Sequence, residues 1–186
     1  MNEIEDFTGK LLIAQPAVKD SYFAKSIILV AQHSLNGSWG VVINNYTKSI
    51  TMQEVMTAAG IKSNLWESVY VGGPVEKSRV HVVHSLDWFS SSTLRINSEL
   101  GITGDISVLA AISGGQGPKQ YRVGVGLAVW GPGQLEGEQS GENPWTPKNR
   151  WLITDATPDL VFTGANDEQY QRAINDCVNR RISDLL

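Results

Sequence analysis

Short apolar runs, separated by turn residues, dominate the first quarter of the chain and are typical of β-strands. Residues 10–14 predict a first strand, which Pro16 ends. Residues 26–33 predict a second strand. This run is apolar on both faces, as expected for a strand in the middle of a sheet. Asn36-Gly37 is a strong hairpin signal, so residues 39–44 are predicted to return as a third strand.

Three later segments also predict strands. Residues 69–71 and 79–86 flank a turn at Gly72-Gly73-Pro74. Residues 121–130 alternate cleanly, with four aliphatic side chains on one face and small residues on the other. The small residues, Gly124, Gly126 and Ala128, predict that another element approaches this strand closely.

Three segments have the period of a helix. Thr51 and Glu54 form a capping box, which predicts a helix that ends at Gly60. Residues 106–112 are apolar on most sides, so this helix is predicted to be buried. The last helix is predicted from about Asp167, with Asn166 as its cap. Its apolar stripe comprises Tyr170, Ala173, Ile174 and Cys177.

The order of these elements predicts the fold class. Strands and helices are mixed rather than strictly alternating, which indicates an α+β fold with a largely antiparallel sheet and packed helices. A chain of 186 residues fits a single domain, here residues 1–186. Residues 137–150 are rich in Gly, Glu, Asn and Pro, and they predict a surface loop with a helical turn from Gln134.

Charge and composition narrow the classes of function. The formal net charge of -4 gives no general attraction to phosphate backbones, so direct nucleic-acid binding is not expected. The longest apolar run, residues 27–31, is too short to span a membrane. The acidic start of the chain lacks the pattern of a signal peptide, and a single Cys excludes an internal disulfide. We therefore expect a cytoplasmic protein without a membrane partner.

Common catalytic and metal-binding patterns are missing from the sequence. His81 and His84 are the only close His pair, and residues three apart on a strand point to opposite faces. We accordingly predict neither a metal site nor a cofactor. Cys177 lies on a buried helical stripe and is predicted to be an unreactive structural thiol. No phosphate-binding loop or nucleophile elbow is found.

Two Gly/Pro turns suggest a ligand site. Gly72-Gly73-Pro74 and residues 131–136 each follow a strand, and strands of one sheet can bring such turns to a common edge. Arg79 would offer a fixed cation to a small anionic ligand, with Trp130 or Trp145 as a wall. The simpler alternative is that both turns only close the sheet. The candidate ligand-binding residues are Asn44, Gly72, Gly73, Arg79, Trp130, Gln134 and Glu136.

Several segments together resemble the AlgH/YqgE family of bacterial proteins. They are residues 9–16 (GKLLIAQP), His33 with residues 40–44 (GVVIN), residues 72–75 (GGPV) with Arg79 and His84, and residues 130–136 (WGPGQLE) with Glu138. The resemblance implies a compact α+β fold whose folded-over sheet forms a partial barrel. It implies little about function, although one branch carries a regulator label linked to alginate production. Leu127, Val129 and Asn45-Tyr46 depart from the family pattern.

Three functions remain open at this point. The leading hypothesis is a non-catalytic binding or regulatory protein, with a small molecule or a protein as its partner. The second is an enzyme in which Glu136 or His84 acts as general base and Asn44 positions the substrate. The third is a transcriptional regulator that acts on DNA directly or through a partner, although no basic recognition helix is seen.

Overall fold

A computed structural model of the protein describes residues 5–19, 22–141 and 150–185. Ten strands and five helices lie within these ranges. The strands are β1 Lys10–Ala14, β2 Ile27–Ser34, β3 Gly37–Val42, β4 Tyr46–Thr51, β5 Ser68–Val71, β6 Val75–Ser85, β7 Leu94–Arg95, β8 Leu100–Thr103, β9 Tyr121–Trp130 and β10 Trp151–Asp155. The helices are α1 Met52–Ala58, α2 Ile106–Ser113, α3 Gln134–Ser140, α4 Pro158–Phe162 and α5 Asn166–Ser183.

The strands form one large sheet in the order β10-β1-β2-β3-β9-β6-β8-β7, with β5 beside β4 and β9. All pairings are antiparallel except that of β5 with β9. The predicted α+β class and largely antiparallel sheet are therefore confirmed. The sheet is open rather than closed into a barrel, since it ends at β7 on one side and at β10 on the other.

Strand β9 organises the sheet because it pairs with three other strands. Its residues 128–130 pair with β3, while its residues 123–125 pair with β5. Strand β6 pairs along its other edge, with a bulge between Val75 and Val80. The end of β3 and the turn after β5 consequently lie close to the middle of β9.

Strands β1 and β2 are covered on both faces, as predicted for β2. Leu11 and Leu29 belong to a cluster beneath α4 and α5, whereas Leu12 and Ile28 belong to a cluster that includes Trp130 and Leu135. Helices α1 and α2 pack over β6 and β9 around a third apolar cluster. In the parts of the chain described here, no helix is long and apolar enough to cross a membrane.

The sequence located the start of α1 better than the start of α5. The capping box at Thr51 and Glu54 forms in full, with both reciprocal hydrogen bonds present. At α5 the predicted cap is wrong, because Ala165 is the N-cap and Asn166 is the first helical residue. The side chain of Asn166 accepts a hydrogen bond from the amide of Tyr46 instead.

Cys177 is buried on α5, as the stripe predicted, and its Sγ lies 3.7 Å from the carbonyl oxygen of Ile153. Replacing Cys177 with Ser should lower the free energy of unfolding by about 1–2 kcal/mol, because a hydroxyl would enter a largely apolar contact. Urea unfolding measures this change. Thiol labelling of the native protein should be slow, and labelling as fast as in the unfolded chain would contradict the prediction.

Candidate functional site

Asn44 lies just beyond β3 and acts as a buried clamp. Its Oδ1 accepts from the amide of Ile27 at 2.8 Å, and its Nδ2 donates to the carbonyl oxygens of Lys25 at 2.9 Å and Asn166 at 3.3 Å. The residue is only 3% exposed. Both amide hydrogens are used, so Asn44 holds the two loop segments in place rather than offering free donors to a ligand.

A cleft of about 440 Å³ opens beside this clamp. One wall comes from the segment before β2 and the other from the start of α5. The lining residues are Tyr22, Ala24, Lys25, Ser26, Asn44, Asn45, Asn166 and Asp167. The volume lies within the range of small-molecule sites in proteins.

Two residues of the cleft have an unusual backbone. Lys25 has φ = 56° and Asn166 has φ = 47°, both in the left-handed region. Only three non-glycine residues in the described ranges have positive φ, and the third, Glu76, lies elsewhere. Such conformations persist where the surroundings fix them, and they are concentrated at functional sites. Here the carbonyl oxygen of each residue is held by Asn44.

Opposite charges meet at the mouth of the cleft. Nζ of Lys25 lies 2.8 Å from Oδ2 of Asp167. The hydrogen bond to Asp167 and the charge of that carboxylate raise the pKa of Lys25 above its ordinary value. Both side chains are largely exposed, at 59% and 72%.

A buried arginine holds together the segments next to the cleft. Arg122, on β9, donates to the carbonyl oxygens of Ile43 and Gly164 and to Oε1 of Gln169. Its guanidinium also lies 4.5 Å from the ring centroid of Tyr70. Burial lowers the pKa of Arg122. These bonds tie the end of β3 to the chain that leads into α5, so they hold the α5 wall against the strand that ends next to Asn44.

The turn at Gly72-Gly73 has a packing role. The amide of Gly72 donates to Val125, and its carbonyl oxygen accepts from Val42, both at 2.8 Å. A Cβ on Gly73 would come nearer than 3.0 Å to backbone atoms of Leu127. The close approach predicted from the small residues of β9 is thus made by this turn. Arg79, in the neighbouring bulge, forms an exposed ion pair with Glu76 at 2.8 Å.

Trp130, Gln134 and Glu138 form a second polar cluster, around α3. The buried carboxylate of Glu138 accepts from the indole nitrogens of Trp130 at 3.2 Å and Trp151 at 2.8 Å. Gln134 donates to the same carboxylate at 3.3 Å and accepts from the amide of Gly131 at 3.0 Å. These contacts lock α3 onto the sheet.

Glu136 belongs to a separate group with His33 and Ser38. Its Oε1 lies 3.5 Å from Nε2 of His33, and the other ring nitrogen of His33 lies 2.6 Å from Oγ of Ser38. The His33 side chain is 2% exposed and that of Glu136 is 32% exposed.

The candidate residues from the sequence therefore fall into three places: Asn44 in the cleft, Gly72, Gly73 and Arg79 at the β5–β6 turn, and Trp130, Gln134 and Glu136 around α3. The structure does not pair Arg79 with Glu136, since Arg79 contacts Glu76 and Glu136 contacts His33. Trp145 lies outside the described residues. A ligand-binding role for any of the seven stays a prediction.

The sequence reasoning missed Lys25, Asn166 and Asp167 as site residues. Asn166 carried a usable signal, because Asn tolerates the left-handed region better than other non-glycine residues and here follows Gly164 closely. Lys25 carried no such signal. Within the described ranges, no group of three or more His, Cys, Asp or Glu could hold a metal ion.

Comparison with known proteins agrees with the segments quoted above. The profile of the AlgH-like family matches residues 11–180. The chain belongs to the AlgH-like family. A relative named UPF0301 protein from Jannaschia sp. is 37% identical over 174 residues, covering 91% of this chain and 87% of the relative. Another from Rhodopseudomonas palustris (strain HaA2) is 38% identical over 178 residues, covering 90% and 78%.

Solved structures of similar fold support the membership. The solution structure of the AlgH protein from Pseudomonas aeruginosa has a TM-score of 0.74 and 29% identity, covering 96% of this chain and 93% of that one. A crystal structure of protein DIP2367 from Corynebacterium diphtheriae has a TM-score of 0.70 and 22% identity, covering 93% and 88%. The second shows the fold alone.

His81 gives this AlgH-like protein a titration that should be visible in its stability. The ring is buried beside Gly72 and Gly124. Burial, with a smaller contribution from the charge of Arg79, lowers its pKa from 6.5 to about 4. The unfolded chain takes up this proton at higher pH than the folded one. The free energy of unfolding should therefore fall by about 3 kcal/mol between about pH 6.5 and pH 4.

Urea unfolding at several pH values tests the His81 prediction, with the His81→Gln variant as control. The loss of stability over this window should be smaller in the variant, because the titrating group is gone. An imidazole NMR signal of His81 that titrates near pH 6.5 in the folded protein would show the prediction to be wrong.

Proposed function

We propose that this AlgH-like protein is a non-catalytic binding protein, and that the cleft beside Asn44 holds a small polar ligand with an anionic group. The observation that carries the proposal is the pair of left-handed residues, Lys25 and Asn166, held on opposite walls by one buried amide. Strained backbone that a structure fixes on both sides of a polar cavity supports a function beyond folding.

The electrostatics of the cleft support an anionic group on the ligand. Lys25 supplies a cation that is exposed to solvent. Helix α5 begins at the same cleft. The amide of Asn166, its first residue, donates to the carbonyl oxygen of Asn44, and the N-cap Ala165 makes no side-chain capping bond, so the positive end of the helix dipole lies at the cavity. Together they favour a carboxylate or a similar group. Arg79 is a weaker candidate for this role, because it lies in the bulge of β6 and does not line this cleft.

A thermal-shift screen against metabolites tests the proposal, because a ligand that binds only the folded state raises the melting temperature. For a ligand found in this way, Lys25→Gln should abolish the shift. The matched control, Arg79→Gln, should keep it. Loss of the shift in the Arg79 variant alone would move the site to the β5–β6 turn. A broad panel without any shift would contradict the proposal.

An enzymatic function is the second candidate, and the contacts of His33 are the observation that favours it. Glu136 and Ser38 flank its two ring nitrogens, an arrangement suited to proton transfer. Ser38 is buried, which argues against its use as a nucleophile. His84, the other general base considered, is fully buried, and burial lowers its pKa. Conversion of a bound ligand that Glu136→Gln abolishes would favour this second candidate, whereas binding without any conversion would favour the non-catalytic proposal.

A regulator that acts on DNA is the least supported alternative. The net charge of -4 does not attract a duplex, whereas binding of a small ligand or a protein partner requires no such charge. Titration of labelled duplexes at about 150 mM salt would separate the two, since non-specific DNA binders bind with dissociation constants of about 10⁻⁴–10⁻⁶ M in this range.

A further inference from the structure

The cleft beside Asn44 presents two opposite charges rather than one. Lys25 comes from the segment before β2 and Asp167 from the first turn of α5, and their charged groups lie 2.8 Å apart. Both line the cavity. Because both side chains are mostly in water, solvent screens the pair and it contributes little to the fold. The two charges can therefore separate at low cost to receive a ligand.

Two side-chain amides near this ion pair have atoms that can form hydrogen bonds with a ligand. Oδ1 of Asn166 accepts from the amide of Tyr46, which leaves the two hydrogens of its side-chain amide. The side chain of Asn45 is exposed and makes no hydrogen bond with any residue in the described ranges. Both amides line the same cavity. They can donate to or accept from further polar atoms of a bound molecule.

We propose that the ligand of this cleft is a zwitterion, namely a free α-amino acid. This inference rests on the function proposed above and specifies the class of ligand. The carboxylate of the amino acid would bind Nζ of Lys25, and its ammonium group would bind the carboxylate of Asp167. Each charge of the protein keeps a partner of opposite sign in the complex, so neither is left unpaired.

The sign of the local charge argues against a simple anion. Asp167 and Glu168 both lie in the first turn of α5, and a phosphate or dicarboxylate bound to Lys25 would face the nearer carboxylate. A ligand with no net charge avoids this repulsion. The cavity of about 440 Å³ also has room for an amino acid with a side chain of moderate size.

Isothermal titration calorimetry with the purified protein tests this inference. The panel contains the twenty amino acids together with inorganic phosphate, dicarboxylates and nucleotides. For the amino acid that binds best, two analogues are added, one without the ammonium group and one without the carboxylate. Each analogue should bind about tenfold or more weakly than the amino acid, since a hydrogen bond between charged groups is lost.

Two variants separate the roles of the charges. Asp167→Asn should weaken binding of the amino acid by about tenfold or more but leave binding of the analogue without an ammonium group unchanged or stronger. Lys25→Gln should weaken the amino acid equally and spare the analogue without a carboxylate. Both residues are largely exposed, so both variants should fold, which circular dichroism checks.

The outcomes distinguish this inference from the proposed function. If a carboxylate or phosphate binds as tightly as any amino acid, and Asp167→Asn does not weaken it, the zwitterion is excluded while the binding function stands. If no member of the panel binds, both are overturned. Binding of an amino acid that neither variant weakens would place the ligand elsewhere and would also overturn the inference.

Discussion

Replacing Gly73 with Ala should reduce the free energy of unfolding by about 4 kcal/mol, one of the largest effects expected for any single methyl group in this protein. An added Cβ would meet the backbone of Leu127 and Ala128 at less than 3.0 Å. These atoms belong to β9, which pairs with three other strands and cannot shift alone. For a chain of this length, such a loss lowers the melting temperature by roughly 10 °C.

Gly60→Ala is the matched control for the Gly73 variant. Gly60 also has a positive φ, of 73°, but no atom lies within 4 Å of the point that a Cβ would occupy there. It should lose only the conformational term, about 1–2 kcal/mol. Equal losses in the two variants would show that Gly73 is needed for its backbone angle rather than for close packing. The turn would then not hold β5 and β6 against β9 in the way described.

Local signals in the sequence predicted the parts of the fold that depend on neighbouring residues. The capping box at Thr51, the central position of β2 and the close approach to Gly126 all follow from side chains a few residues apart. Strand β4 was missed because it is a polar strand, exposed along much of its length, that pairs only with β5. Its residues alone carry little apolar periodicity.

Contacts between distant segments limited what could be predicted about α3 and β10. Glu138 belongs to the surface loop predicted for residues 137–150, yet its carboxylate is buried and accepts hydrogen bonds from the indoles of Trp130 and Trp151. Strand β10 follows a stretch rich in turn residues and pairs with β1, about 140 residues earlier in the chain. Neither arrangement has a signal at short range.

The residues that form the candidate cleft are also far apart in the sequence, so they could not be predicted to lie together. Lys25 and Asp167 are 142 residues apart, and Asn44 and Asn166 are 122 apart. The sequence identified Asn44 as a site residue but assigned it contact with substrate. The structure gives it the backbone of Lys25 and Asn166 as partners. Asn44 is therefore a positioning residue of the cleft. This role can be tested with a variant that removes the amide donor but keeps the size of the side chain.

Asn44→Asp keeps the shape of the side chain and should nevertheless lower the free energy of unfolding by about 4 kcal/mol at pH 8. The new carboxylate still accepts from the amide of Ile27. Its second oxygen, however, would face the carbonyl oxygens of Lys25 and Asn166 without a hydrogen to donate. Two hydrogen bonds are lost and a charge is buried. Chemical denaturation at several pH values measures the effect.

The pH dependence of the Asn44→Asp variant identifies the cause. Burial raises the pKa of the introduced carboxyl group above its unfolded value, so the penalty grows as the pH rises from that value and is relieved on acidification. The difference in the free energy of unfolding between wild type and variant should thus be smaller at pH 5 than at pH 8. Asn45→Asp, at the exposed neighbouring position, is the control and should change stability by less than about 0.5 kcal/mol.

Ligand binding gives the second measurement on the Asn44 variant. If the clamp sets the positions of Lys25 and Asp167, a variant that still folds should bind the ligand of the cleft more weakly, although Asn44 has no free donor for it. The loss should be larger than in a surface variant of equal stability. A variant that is destabilised as expected but binds with wild-type affinity would show that the left-handed residues on the two walls are not what shapes the site.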